Sequence, residues 1–381
     1  RQDRSGSART NAESCKVNSA RIGTSAGRLM SHSTSRRTFL KTAGTTAIAS
    51  AVAPAFLNAT DKAGSKPAIV GEGDFVYECH HDWGEVPDSV RWQDTHGTAV
   101  DAEGLVYITH RSKSKTVCDA IVVFDRDGKC VRSFGKEHHG AGHGIDIRRD
   151  GGEEFLYLSC VRKGYFCKTT LKGEEVWRKE FPVESGKYNG KKTPFAPTNI
   201  CFAPDGGFYM ADGYGSNFIH QYDKNDNWVR TWGGGGTGPG QMRTPHGLWL
   251  DDRGDGEPEI AVCDRANARL QYFSLDGKLI RIVHGLAFPA DIDIQGDVLL
   301  CSDLHARITL FDKNNRVITH LGYDENWTKE VLADNFKLRS QPKRFHAGRF
   351  VHPHDACFDH DGNIIVAEWI PTGRLSFLKK V

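Results

Sequence analysis

The chain has 381 residues, a formal net charge of +2, 26% charged residues and 41 glycines. That length can hold one large core or two modest ones. The near-neutral balance, with no basic stripe interleaved with aromatics, argues against a nucleic-acid or membrane-surface binder, and no nucleic-acid partner is expected. Ten cysteines are scattered without a Cys-x-x-Cys pair, which points away from a zinc ribbon or a disulfide scaffold. Most of them, including Cys160, Cys201, Cys263, Cys301 and Cys357, sit in strand-like runs and read as buried free thiols.

The first 29 residues are polar, poor in aromatics and expected to be disordered. Residues 35–41, SRRTFLK, and the mild apolar run TAGTTAIASAVAPAFL resemble a twin-arginine export signal. The run is too short and too rich in Ala and Thr for a membrane span. These features predict an exported protein, periplasmic or extracellular, with no stable span in its mature form and a natural start at Met30. Residues 1–55 are therefore read as extension plus signal peptide, 56–70 as linker and 71–381 as the folded domain. Twin-arginine export carries folded proteins, so a metal can be loaded before export.

From about residue 71, short strands are broken by Gly and Asp turns, with no convincing amphipathic helix. Self-alignment yields six units. Their first strands are HGTAVDAEG, HGIDIRRDGG, TNICFAPDGG, HGLWLDDRGDG, ADIDIQGD and HDACFDHDG. Second, third and fourth strands follow each, except that the last unit ends without a fourth. An orphan strand, FVYECHHDWG, precedes the first unit and can complete the last. The prediction is an all-β, six-bladed β-propeller closed by its N-terminal strand, which removes the unpaired edges. GGGGTGPGQM reads as a loop between blades, since no phosphate-binding motif leads from a strand into a helix.

In a propeller the first strand of each blade lines the channel, so equivalent residues form a ring. The six equivalents are His96, His143, Thr198, His246, Ala290 and His354. His143, His246 and His354 fall on alternate blades, about 120° apart in six-fold geometry. Three such imidazoles leave a position free, the arrangement of a catalytic zinc. His96 is an extra member. Arg111, Arg265 and Tyr214 follow second strands and are expected at the same mouth: the guanidiniums to hold a carboxylate, the phenol to act as a base. Plainer readings stand beside these. A histidine before an inner strand caps turns, Arg265 can pair with Asp264, and Tyr214 can be a rim aromatic. His80, His81, His138 and His139 lie outside the register and are read as exposed or loop residues.

The segment VCDRANARLQYF is similar to the core of NHL repeats. More closely, VYITHR, HGIDI, ADGYGSN, GPGQMRTPHGL, VCDRANARLQ and HPHDA fall in the order of the peptidyl-α-hydroxyglycine α-amidating lyase family, which residues of about 75–381 resemble. The resemblance implies a zinc-dependent lyase that cleaves the N–C bond of an α-hydroxyglycine amide to a primary amide and glyoxylate. It implies Zn2+ on His143, His246 and His354, catalysis by Tyr214, Arg111 and Arg265, and a structural Ca2+ on Asp355 with backbone oxygens near Thr98 and Ile145. The implied partner is a small-molecule or peptide substrate with an α-hydroxyglycine-like end, and a monomer is expected. No segment of this chain resembles the copper monooxygenase that makes such substrates. Gly215 stands where the family has a cysteine, and His352 where its animal members have a methionine; His352 and His96 are possible additions to the metal site. Two other functions are weighed: a non-catalytic NHL propeller that binds a peptide or protein, and a calcium-dependent propeller lactonase, which calls for Glu, Asn and Asp round the channel.

Overall fold

The computed structural model describes residues 66–189 and 193–381; the export signal, the start at Met30 and most of the linker lie outside them. Six antiparallel sheets follow the six repeats. Blades one to five run in sequence order within residues 95–321, each with four strands. Blade six combines Pro353–Phe358, Ile364–Glu368 and Arg374–Lys380 with Phe75–His81, which pairs antiparallel with Arg374–Lys380. The N-terminal strand therefore closes the ring as the repeat count requires. One further strand, Ala68–Glu72, pairs outside it and makes this sheet five-stranded, so strand structure begins within the stretch read as linker.

The core is divided into wedges, because each sheet can bury its apolar faces only against its neighbours. Ile108, Val122 and Phe124 of blade one pack on Ile365 and Leu375 of blade six. Leu300, Ile308 and Leu310 of blade five pack on Tyr77, Ile364 and Leu378 from the opposite side of blade six. Comparable clusters lie between blades one and two, two and three, three and four, and four and five. The five cysteines assigned to strand-like runs are buried free thiols.

One expectation is corrected. Between blades five and six, Glu325–Leu332 forms an α-helix, followed by 3-10 turns at Ala333–Asn335, Lys337–Ser340 and Pro342–Arg344. Asp324 caps the helix by accepting from the Trp327 amide (2.8 Å), and the Trp327 indole donates to the Phe350 carbonyl (2.6 Å). Trp327, Val331 and Leu338 form a seventh cluster with Val351 and Ile370. His81 is also neither exposed nor in a loop: it ends strand Phe75–His81 and bonds Ser376 within blade six. His138 lies in a turn, as expected, but is buried against Tyr165.

Candidate metal centre

The inner strands carry their histidines on β-bulges. In blade one the pairing steps from Thr95–His110 to Thr98–Ile108, leaving one extra residue at His96-Gly97. Blades two and four do the same at His143-Gly144 and His246-Gly247, and blade six at His354. A bulge interrupts the alternation of a strand and re-aims a side chain. The glycine after the histidine has a steric reason too. A Cβ on Gly144 would lie 2.4 Å from the Thr198 carbonyl of the next blade.

Four buried imidazoles meet at the channel. The rings of His143, His246 and His354 form a near-equilateral triangle, with centroids 4.7, 4.7 and 4.8 Å apart. Each gives its Nδ1–H to the carbonyl of the equivalent residue one blade on. His143 donates to Thr198 (2.8 Å), His246 to Ala290 (2.7 Å) and His354 to His96 (2.9 Å). A carbonyl only accepts, so these bonds fix the tautomer and leave Nε2 as a bare lone pair. His96 breaks the pattern: its Nδ1–H goes to Asp94 in its own blade (2.7 Å). It is nonetheless a member of the cluster, its ring 4.6 Å from His354 and 5.2 Å from His143. Nitrogens of His96, His143 and His354 all lie within 4.8 Å of one another.

The electrostatics keep these rings neutral. Burial lowers the pKa of all four, to about 3 for His143 and well below the usual value for His96, His246 and His354. Arg111 adds to the shift at His143 and His96, and Arg265 at His246. The Nε2 atoms of His143 and His246 face each other at 3.2 Å. Two lone pairs at that distance repel unless a cation lies between them.

Tyr214, Arg265 and Arg111 reach the same mouth from the turns after second strands. The Tyr214 ring stands edge-on to His143 and His246 at 5.4 and 5.5 Å. Its hydroxyl lies 3.3 Å from His246 Nε2 and accepts from Arg265 Nη1 at 2.9 Å. The Arg265 guanidinium also lies over the Tyr214 and Phe288 rings. Asp264 does not pair with Arg265; it takes Arg269 at 2.7 Å. Among the described residues, neither Arg111 nor Arg265 has a carboxylate within ion-pair distance, and the Nε of each is buried without a partner. Burial, then Arg162, lowers the pKa of Arg111. His352 is directed elsewhere. Its Nδ1–H donates to the Leu304 carbonyl (2.7 Å), and its ring packs on Phe336 and Trp369.

Further along the inner strands lies a layer that contains Asp355 and Thr98, expected as Ca2+ ligands from the resemblance, and four side chains that sequence reasoning missed, Asp146, Asn199, Asp291 and Asp293. Asp146, Asn199, Asp291, Asp293 and Asp355 line a cavity of about 130 Å³ together with Thr98. The Thr98 amide donates to Asp355 Oδ2 (2.9 Å), and Asn199 donates to both oxygens of Asp291 (3.1 and 2.9 Å). Burial raises all four carboxyls, Asp291 and Asp293 to about 7. Nearby carboxylates raise Asp146, Asp291 and Asp355 further. Asp146 Oδ2 has no partner. The channel thus holds the Asp and Asn side chains that the histidine ring alone lacked. Their signal was present in the alternation of HGIDI and ADIDI, which puts Asp146 and Asp293 on the face that looks into the channel.

No known family profile matches the chain. It is 26% identical over 334 residues to peptidylglycine alpha-amidating monooxygenase of Rattus norvegicus, covering 78% of this chain and 31% of that protein. It is 29% identical over 185 residues to NHL repeat-containing protein 3 of Homo sapiens, covering 47% of this chain and 51% of that protein. The chain thus spans about half or less of the length of these relatives. Among solved structures it resembles virginiamycin B lyase from Staphylococcus aureus, with a TM-score of 0.51, 12% identity and coverage of 80% of this chain and all of that one. That likeness concerns the fold alone; this chain is a six-bladed propeller whose repeats are NHL-like by its similarity to the NHL relative.

Proposed function

We propose that this propeller is a metal-dependent lyase that breaks the N–C bond of an α-hydroxyglycine amide or a related carbinolamide. The observation that carries the reading is the contact of Tyr214 with both His246 and Arg265, at 3.3 and 2.9 Å. On this reading the contact would put a base and a carboxylate-binding cation directly on a histidine cluster. The similarity to an amidating enzyme supports the same reading.

The histidines suit a zinc ion. Each bears a fixed Nδ1–H bond, and the Nε2 atoms of His143 and His246 oppose one another with no proton to share. His143, His246 and His354 would hold it, and as a Lewis acid it would acidify a bound hydroxyl. Arg111 and Arg265 would bind the substrate carboxylate, since neither has one of its own. Tyr214 would take the hydroxyl proton, with Arg265 Nη1 hydrogen-bonded to its oxygen. The hydroxyl electrons then form the aldehyde C=O of glyoxylate, the N–C bond breaks, and the proton taken by Tyr214 passes to the leaving amide nitrogen. Asp355, with backbone oxygens near Thr98 and Ile145, would hold Ca2+, and the cavity carboxyls around it fit a hard cation. Export of a folded, metal-loaded monomer completes the proposal.

The test is glyoxylate release from an N-acyl-α-hydroxyglycine. Removing groups that act only as charge develops typically costs about 10²–10³ in rate. Tyr214→Phe and Arg265→Ala are expected to lose that much, with metal content unchanged. An active Tyr214→Phe enzyme contradicts the assignment of the base. A protein that holds no metal and releases no glyoxylate is instead a binding scaffold for a peptide or protein.

A further inference from the structure

Four histidines, not three, turn bare nitrogens into the channel. His143 and His354 form an edge shared by two triangles. His246 completes one, beside Tyr214 and Arg265. His96 completes the other, with rings at 4.6 and 5.2 Å. We infer that His96 is a fourth ligand, so that the ring holds one divalent transition ion through four imidazoles. The inference rests on the metal reading above but not on the lyase chemistry.

His96 is held in the manner expected of a ligand. It is 1% exposed, and its Nδ1–H bond to the Asp94 carbonyl leaves Nε2 as an acceptor. That Nε2 is buried without a partner. An unsatisfied buried acceptor is costly, and one cation at the centre of a cluster of acceptors satisfies them all at once. The support behind His96 is rigid as well. The Asp94 carbonyl also accepts the Arg111 amide at 2.9 Å. The Asp94 side chain is clamped by Arg339 at 3.0 Å and Lys113 at 2.8 Å. A ring free to turn away would not be braced on this scale.

The fourth ligand has a chemical consequence. Four protein ligands fill a tetrahedral zinc sphere. An ion in this ring keeps a place for substrate only by taking five or six ligands. That favours ions that accept a nitrogen-rich, tetragonal or octahedral sphere, and admits zinc only with an expanded one. The three-histidine pattern of the resembled family therefore does not fix the metal here.

Cobalt(II) is the probe, because its visible absorption strengthens several-fold when a five- or six-coordinate site becomes four-coordinate. Metal-free wild type, His96→Ala and His96→Asn would be titrated with cobalt against a competing chelator. The His96 carbonyl that receives His354 is main chain, so it survives either change. Loss of a ligand is expected to weaken cobalt at least as much as loss of an outer hydrogen bond, about 10-fold or more, with stronger absorption. Should neither variant fold, X-ray absorption of the wild-type cobalt protein counts the imidazoles directly, with four expected. Equal affinity and spectrum in the variants, or three imidazoles in the wild type, overturn the inference while leaving the metal centre standing. A wild type that binds no cobalt removes the centre and the inference together. A wild type that binds cobalt through four imidazoles but releases no glyoxylate sustains the inference and sinks only the lyase.

Discussion

Tyr214 projects from a turn that is tied down by a buried carboxylate. Asp212, fully buried, accepts from the Ala196 amide (2.7 Å), the Ser216 amide (2.7 Å) and the Tyr188 hydroxyl (2.9 Å). Ser216 Oγ donates back to the Pro194 carbonyl at 2.7 Å. The segment 194–196 is thereby fastened to the turn 212–216 without a covalent link. The same packing accounts for Gly215: a Cβ there would lie 1.9 Å from Asp212 Oδ1 and 2.7 Å from the Ala196 amide. A cysteine has no room at this position. Gly215→Ala is expected to push Asp212 aside and move Tyr214, lowering kcat on the order of 10²-fold for a shift of about 1 Å. Metal content, measured alongside, should stay unchanged; full turnover would show that the turn does not position the phenol. The three-fold histidine set was legible in the sequence because a repeat register fixes it. Two things were not. His96 differs from the others in the carbonyl it bonds, which no spacing encodes. Asp212 looks like any strand-end aspartate until its three hydrogen bonds are seen.

At the level of the repeating element, the Asp-Arg pattern of VCDRANARLQ is a brace. Asp264 binds Arg269, Asp303 binds Arg307 and Glu368 binds Arg374, each joining a second strand to the next. Glu368 is fully buried. Burial alone would raise its carboxyl, but Arg374 holds it below the usual value. Arg374→Ala leaves that charge unpaired and is expected to cost about 3–5 kcal/mol, read as a fall in the denaturation midpoint; a loss within about 0.5 kcal/mol, the usual range for a surface change, would contradict it. Strand order and blade count could be read ahead because turns and apolar alternation repeat. The helix Glu325–Leu332 could not. It spans only 8 residues, and its cap, Asp324, sits in a stretch that belongs to no repeat.

The whole molecule stacks two chemical layers in one channel: imidazoles near the mouth, and carboxyls with an amide beyond them. Asp291 and Asp293 keep their protons to about pH 7 in the folded protein, against 3.8 for an ordinary aspartate. Between those values the folded state binds more protons than the unfolded chain. Their contribution to stability is full below the lower value and is lost as pH rises through the upper one. In chelator, this pair should lower the melting temperature as pH rises across that window. Ca2+ should restore more stability at about pH 8 than at about pH 5, where protons already occupy the layer. A Ca2+ effect independent of pH would mean the cation binds elsewhere.

The most direct test of the account measures both products in one tube. Wild type is incubated with N-benzoyl-α-hydroxyglycine, and glyoxylate and benzamide are followed before and after chelation. The structure's histidine ring, with Tyr214 and Arg265 against it, predicts equal amounts of the two, released well above the buffer rate, abolished by the chelator and restored by added metal. Release no faster than in buffer, or release that survives complete removal of metal, would contradict it.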